Sequence, residues 1–140
     1  MNKRFTSCIA LPAMASSVGT ARMYTRHLME KWNLMAVVDD AELVVSEIVT
    51  NAIKAANLIP PQARYPELYD RLEVVCLCLR ALENELLIEV WDANQESPER
   101  REVTLDEEGG RGLFLVESLC TQWGVRPLIG GKIVWATIGL

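Results

Sequence analysis

Two side chains able to do chemistry stand one helical turn apart in the stretch "SEIVTNAIKAA", Ser46 to Ala56. At roughly 100° per residue, Glu47 and Asn51 fall between Leu43 and Val44, inside an apolar stripe of Leu43, Val44, Ile48, Ala52 and Ala55. A carboxylate and a carboxamide placed where the helix buries its other residues need partners there, from the protein or from a ligand. Lys54 lies on the same stripe, where it can pair with Glu47. A third candidate ends a strand: Leu86, Ile88 and Val90 share a face, and the same alternation puts Asp92 on it. Such an acid either caps the turn that follows, which Asp92-Ala93-Asn94 suits, or forms the floor of a pocket and accepts a hydrogen bond from a ligand amine, since buried acids need partners. "GGRGLFLV" runs from glycines into an apolar helical stretch. Gly110 and Gly112 either let the backbone approach an anion at a helix N-terminus or simply make a turn. Their spacing is neither a Walker loop nor a dinucleotide fingerprint.

The elements that must position these residues follow from periodicity and punctuation. A first strand is expected over about residues 4–10. A helix follows to about Trp32, capped by Ser16 or Ser17, with Val18, Ala21, Leu28 and Met29 among its apolar positions. "VVDDAEL" opens the second helix with Asp39 or Asp40 as the expected N-cap, and Pro60-Pro61 end it. Residues 58–71 read as a proline-rich loop. "LEVVCLCLRALENELLIEVWD" reads as a hairpin turning at Glu83-Asn84-Glu85. The polar segment "ANQESPERREVTLDEE" precedes the glycines, "LFLVESLCTQWG" reads as a helix, and Gly130-Gly131 introduce a last strand, "KIVWATIGL". The order β-α-α-β-β-loop-α-β gives an α+β sandwich, with helices on one face of a mixed or antiparallel sheet.

The totals agree with one domain over residues 1–140, long enough for a real core. A net charge of −5 with no basic run argues against nucleic acid as a direct partner. No apolar run reaches the ~18 residues of a membrane span. The basic and apolar start imitates a signal peptide but is broken by Thr6, Ser7 and Pro12, so an intracellular, cytoplasmic protein is expected. Cys8, Cys76, Cys78 and Cys120 are irregularly spaced, so buried reduced thiols are expected rather than disulfides or a metal site. Cys76 and Cys78 should point to one face of a strand.

Glu-x-x-x-Asn on a helix, an Asp ending a strand and a later Gly-x-Gly, in that order, resemble the GHKL (Bergerat-fold, histidine-kinase-like) ATPases. The likeness is strongest to the anti-sigma-factor serine/threonine kinases, through "DDAELVVSEIVTNAIKAA", "VWDANQESP", "GGRGLFLVESLCTQWGV" and "GGKIVWATI". It covers about residues 4–140. The resemblance implies ATP and Mg²⁺ as ligands, with Glu47 as general base, Asn51 as magnesium ligand and Asp92 as reader of the adenine amine. Gly110, Arg111, Gly112 and Leu113 would belong to a phosphate-closing lid, and Lys54 and Asn94 to the nucleotide site. Partners would be an anti-sigma antagonist protein, a sigma factor or both, in a chain that resembles commonly dimeric proteins. The sequence departs from the family where Asp92-Ala93-Asn94-Gln95-Glu96 replaces a glycine box. It departs again where Ile133 stands in place of a hydroxyl residue expected to support Asp92. These departures favour an alternative, a nucleotide-gated protein-binding module without kinase activity. A two-component histidine kinase domain fits less well, because the single histidine, His27, lies in the first predicted helix.

Overall fold

Strands of alternating large apolar residues carry the fold. The computed structural model describes residues 5–57, 73–94 and 116–140. Its elements are β1 (Phe5–Pro12), α1 (Ser16–Lys31), α2 (Val38–Asn57), β2 (Val74–Ala81), β3 (Glu85–Asp92), β4 (Gln122–Leu128) and β5 (Gly131–Gly139). They form one five-stranded sheet in the order β1-β2-β3-β5-β4. Every pairing is antiparallel. The α+β architecture expected from the sequence is present.

One sheet face meets the helices. Val75, Leu77 and Leu79 of β2, Leu86, Ile88 and Val90 of β3, and Val134, Ala136 and Ile138 of β5 are buried there. α2 presses Val44, Val45, Ile48, Val49, Ala52 and Ile53 onto them. α1 adds Ala21, Leu28 and Met29. Burying such side chains is worth roughly 1.5–3 kcal/mol each before entropy is counted, so this layer holds α2 in place.

Local signals differ from expectation at several points. α1 begins from Ala15 without a side-chain cap; the Ser17 hydroxyl instead donates to the Pro12 carbonyl at 2.6 Å, tying the helix to the end of β1. α2 is entered through a 3-10 turn, Met35–Val37, so Asp39 and Asp40 lie within its first turn and favour the dipole from there rather than as caps. Leu43 is 39% exposed and lies outside the core stripe assigned to it. The helix expected through Gly124 is helical only at residues 116–119 among the described residues, and β4 starts at Gln122. Trp123 and Val125 pack toward the core on β4, while the ring of Trp135 lies so close over Gly124 that an added Cβ would meet it at 2.9 Å.

The other sheet face carries polar groups. Arg80 and Arg126 both donate to the buried Glu89 carboxylate, at 2.6 and 3.0 Å. Burial pushes the Glu89 carboxyl up, but the two guanidinium groups outweigh it and hold it below its ordinary 4.5. That contribution to stability is complete above the ordinary value and fades as pH falls through the lower folded value.

Cysteine pairing also departs from expectation. Cys76 and Cys78 do share a face, but it is this outer one, and Cys8 and Cys78 form a disulfide between β1 and β2. They are direct cross-strand partners whose Cα atoms lie 4.1 Å apart, which closes a sequence separation of 70. Cys76 and Cys120 are free, and burial, with Asp40 nearby, pushes the Cys120 thiol up to about 11. Closing a loop that long takes entropy from the unfolded chain, so reduction should lower stability by roughly 2–4 kcal/mol in urea unfolding. Cys8→Ser should reproduce the loss, and reductant should then have no additional effect. An unreduced parent that unfolds like the reduced one would show that the bond contributes nothing.

Candidate functional site

Asp92 is the last residue of β3 and is fully buried. The β3–β5 register sets Lys132 directly opposite it. The two form an ion pair, Nζ to Oδ1 at 2.9 Å, with side chains 1% and 0% exposed. Lys132 also donates to the Asn94 carbonyl at 2.8 Å. The Asn94 backbone N–H donates to Asp92 Oδ1 at 2.8 Å, so the turn-capping use of Asp92 is realised. The Asn94 side-chain amide donates to the Ala55 carbonyl at 2.9 Å, joining this corner to the last turn of α2.

Glycine makes the close approach possible. A Cβ on Gly131 would lie 2.2 Å from the Asp92 carbonyl oxygen, so only glycine lets β5 start there. Gly130, at φ +82°, supplies the left-handed residue that the β4–β5 turn needs.

Glu47 and Asn51 stand on α2 at the margin of its buried stripe, both half-buried, flanked by exposed Leu43 and Lys54. The helix therefore turns a row of polar groups along the edge of the core rather than into it. Glu47 is eight residues from Ala55, roughly 12 Å along the axis at 1.5 Å per residue, and Asn51 half that distance. The hydrogen bond from Asn94 to Ala55 fixes Asp92 at one end of this row. The row and the buried acid are thus connected through the last turn of α2. Among the described residues, no group of three or more His, Cys, Asp or Glu side chains could hold a metal ion by itself. Gly110, Arg111, Gly112 and Leu113, with the rest of the expected lid, lie outside the described residues.

One expectation is overturned and one residue was missed. Ile133 pairs with Trp91 and shares the outer face with it, so it cannot bear on Asp92 whatever its chemistry. Lys132 is the residue that does. The signal was present: counting back by twos from Ala136 and Val134 puts position 132 on the inner face.

The family model for the histidine kinase-like ATPase domain matches residues 11–138. A comparison with curated proteins finds no match. Among solved structures, the chain is similar to the RsbU and RsbW domains of Rv1364c from Mycobacterium tuberculosis, with a TM-score of 0.61 and 19% identity. The match covers 96% of this chain and 32% of that one, so the chain spans about a third of that protein's length. This likeness bears on the fold alone.

The buried pair makes a stability prediction. Asp92→Asn leaves the Lys132 ammonium out of water without a counter-charge and should lower unfolding free energy by roughly 3–5 kcal/mol. Asp92→Asn combined with Lys132→Met removes both charges and should recover most of that loss. Additive losses in the double mutant, measured by urea titration, would contradict the pairing.

Proposed function

This chain belongs to the histidine kinase-like ATPase family, and from that premise we propose that it binds Mg-ATP and phosphorylates a Ser or Thr of a small anti-sigma antagonist, sequestering a sigma factor in the alternate state of the switch. The observation that supports the reading is the tie from Asp92 through Asn94 to Ala55, which links the Asp92 carboxylate to the last turn of the helix that carries Glu47 and Asn51. The separation along the row suits a ligand with a base at one end and reacting phosphates at the other.

The chemistry asks little covalent work of the protein. The substrate hydroxyl oxygen forms a bond to the γ-phosphorus as the bond to the leaving β-phosphate oxygen breaks, leaving ADP. Glu47 takes the hydroxyl proton at its carboxylate. Asn51 presents a hard carboxamide oxygen, the donor type Mg²⁺ accepts while keeping waters and phosphate oxygens as its other ligands. When bound, Mg²⁺ neutralises charge on the polyphosphate. Lys54, exposed one turn beyond Asn51, adds a positive charge near the phosphates; Asn94 shapes the base end, and the stretch with Gly110, Arg111, Gly112 and Leu113 would close over the phosphates.

No helix of the described residues is long and apolar enough to cross a membrane. The kinase reading calls for a cytoplasmic setting, the compartment that supplies ATP. The Cys8–Cys78 bond would there meet a reducing thiol pool. A homodimer, with no direct contact to nucleic acid, completes the proposal. One observation favours the second reading, a nucleotide-gated module that does not transfer phosphate: Asp92 is already engaged by Lys132.

Two substitutions on α2 separate these readings. Glu47→Gln keeps size and position but removes the proton acceptor. Mg-ATP binding should survive, and transfer from labelled ATP to antagonist should fall roughly 10²–10⁴-fold. Asn51→Ala should weaken Mg-ATP binding while leaving metal-free nucleotide nearly unaffected. If both variants bind Mg-ATP like the parent and merely melt earlier, the row is structural and the kinase assignment is wrong.

A further inference from the structure

Lys132 has no part in the machinery assigned above, yet it is the one Lys or Arg that is buried among the described residues. A lysine in water on this strand would be of little consequence. A lysine removed from water must be matched by charge and by hydrogen bonds to all it can reach. Two of its donors are matched, by Asp92 Oδ1 and by the Asn94 carbonyl.

The position is built rather than incidental. The tight turn at Gly130 and the absence of a Cβ at Gly131 bring β5 hard against the backbone of Asp92. Strand register then sets Lys132 opposite the acid. Asn94, bonded to Ala55, holds the second receiving carbonyl in place. Oδ1 of Asp92 thereby accepts one charge-assisted bond and one backbone bond from the protein itself.

A base amine gains most from a carboxylate that no internal donor already occupies, because hydrogen bonds to an ionised acceptor are about twice as strong as neutral ones. An internal ammonium removes much of that gain. We propose that Lys132 is a specificity-determining residue that competes with the ligand's exocyclic amine for Asp92, so that a 6-aminopurine nucleotide must share or displace the Lys132 ion pair to be bound. The proposal rests on the nucleotide reading above and names what sets affinity within that site.

The consequence is a gain of binding on removing the cation. Lys132→Gln keeps a hydrogen-bond donor for Asp92 without the charge, and Lys132→Thr offers a shorter one. Calorimetric titration with Mg-ATP should show both variants binding about tenfold tighter than the parent, on the scale of one hydrogen bond to a charged acceptor. Mg-ITP, whose base carries a carbonyl in place of the 6-amine, should change by less than about threefold on the same arithmetic. The rising ATP-to-ITP ratio is the readout that a purely structural lysine would not move; near-ultraviolet circular dichroism confirms that each variant is folded. Lower melting temperature with an unchanged ratio would overturn the proposal, as would weaker ATP binding, which would make Lys132 a reader of the base. In both outcomes the nucleotide reading stands, because the parent binds. If parent and variants alike bind neither nucleotide at millimolar concentration, the nucleotide reading fails and takes this proposal with it.

Discussion

An ammonium and a carboxylate, both taken out of water, meet where β3, β5 and the end of α2 converge. Dehydrating either group alone costs several kcal/mol, and their mutual attraction offsets this only with good geometry and further hydrogen bonds. The Asn94 backbone supplies those bonds, accepting from Lys132 and donating to Asp92. The arrangement also fixes register. Slipping β5 by one residue against β3 would turn Lys132 to the outer face and bring Ile133 inward, leaving Asp92 buried and uncompensated. The pairing of the two central strands and the address of the candidate site therefore depend on the same contact.

β3 shows how one strand serves two faces. Glu89 points outward and is held by two arginines, one of them reaching across β5. Asp92 points inward and is held by one lysine. Arg126 is 54% exposed, so solvent screens part of the Glu89 arrangement and its worth is modest. Lys132 and Asp92 have no such screening. The outer carboxylate can be lost with little consequence for the helix layer, whereas the inner one is coupled to α2 through Asn94 and hence to Glu47 and Asn51.

Much of this was legible in the residues. The α2 stripe apart from Leu43, the β2–β3 hairpin, turning at residues 82–84, and the inward face of Asp92 follow from period and punctuation, and the structure has them. β4 was not legible, because Trp123 and Val125 continue an apolar run from "LFLVESLC" and a short strand of mixed exposure has no period of its own. The Cys8–Cys78 bond joins residues 70 apart that only the β1–β2 pairing brings together. Lys132 went unread for a different reason. A lysine just after two glycines looks like a solvated turn residue; alternation puts it on the inner face, but only the register sets it opposite Asp92. Hydrophobic pattern locates elements, but a buried charge is located by its partner, and partners are a property of the folded chain.

The two ends of the corner differ in physical character, and this bears on what each can do. At the Asp92 end the two charged side chains, Asp92 and Lys132, lie in a low-dielectric enclosure, where small changes in charge have large effects. At the Glu47–Asn51 row the groups are half-buried and border exposed Leu43 and Lys54. Under the kinase proposal, this gradient would put recognition at the dry end and transfer at the wet end. α2 supplies it with a single element, because a helix that rotates its residues by roughly 100° can bury Val44, Ile48 and Ala52 while keeping Glu47 and Asn51 on the border. The polar pair inside the apolar stripe is where that border runs.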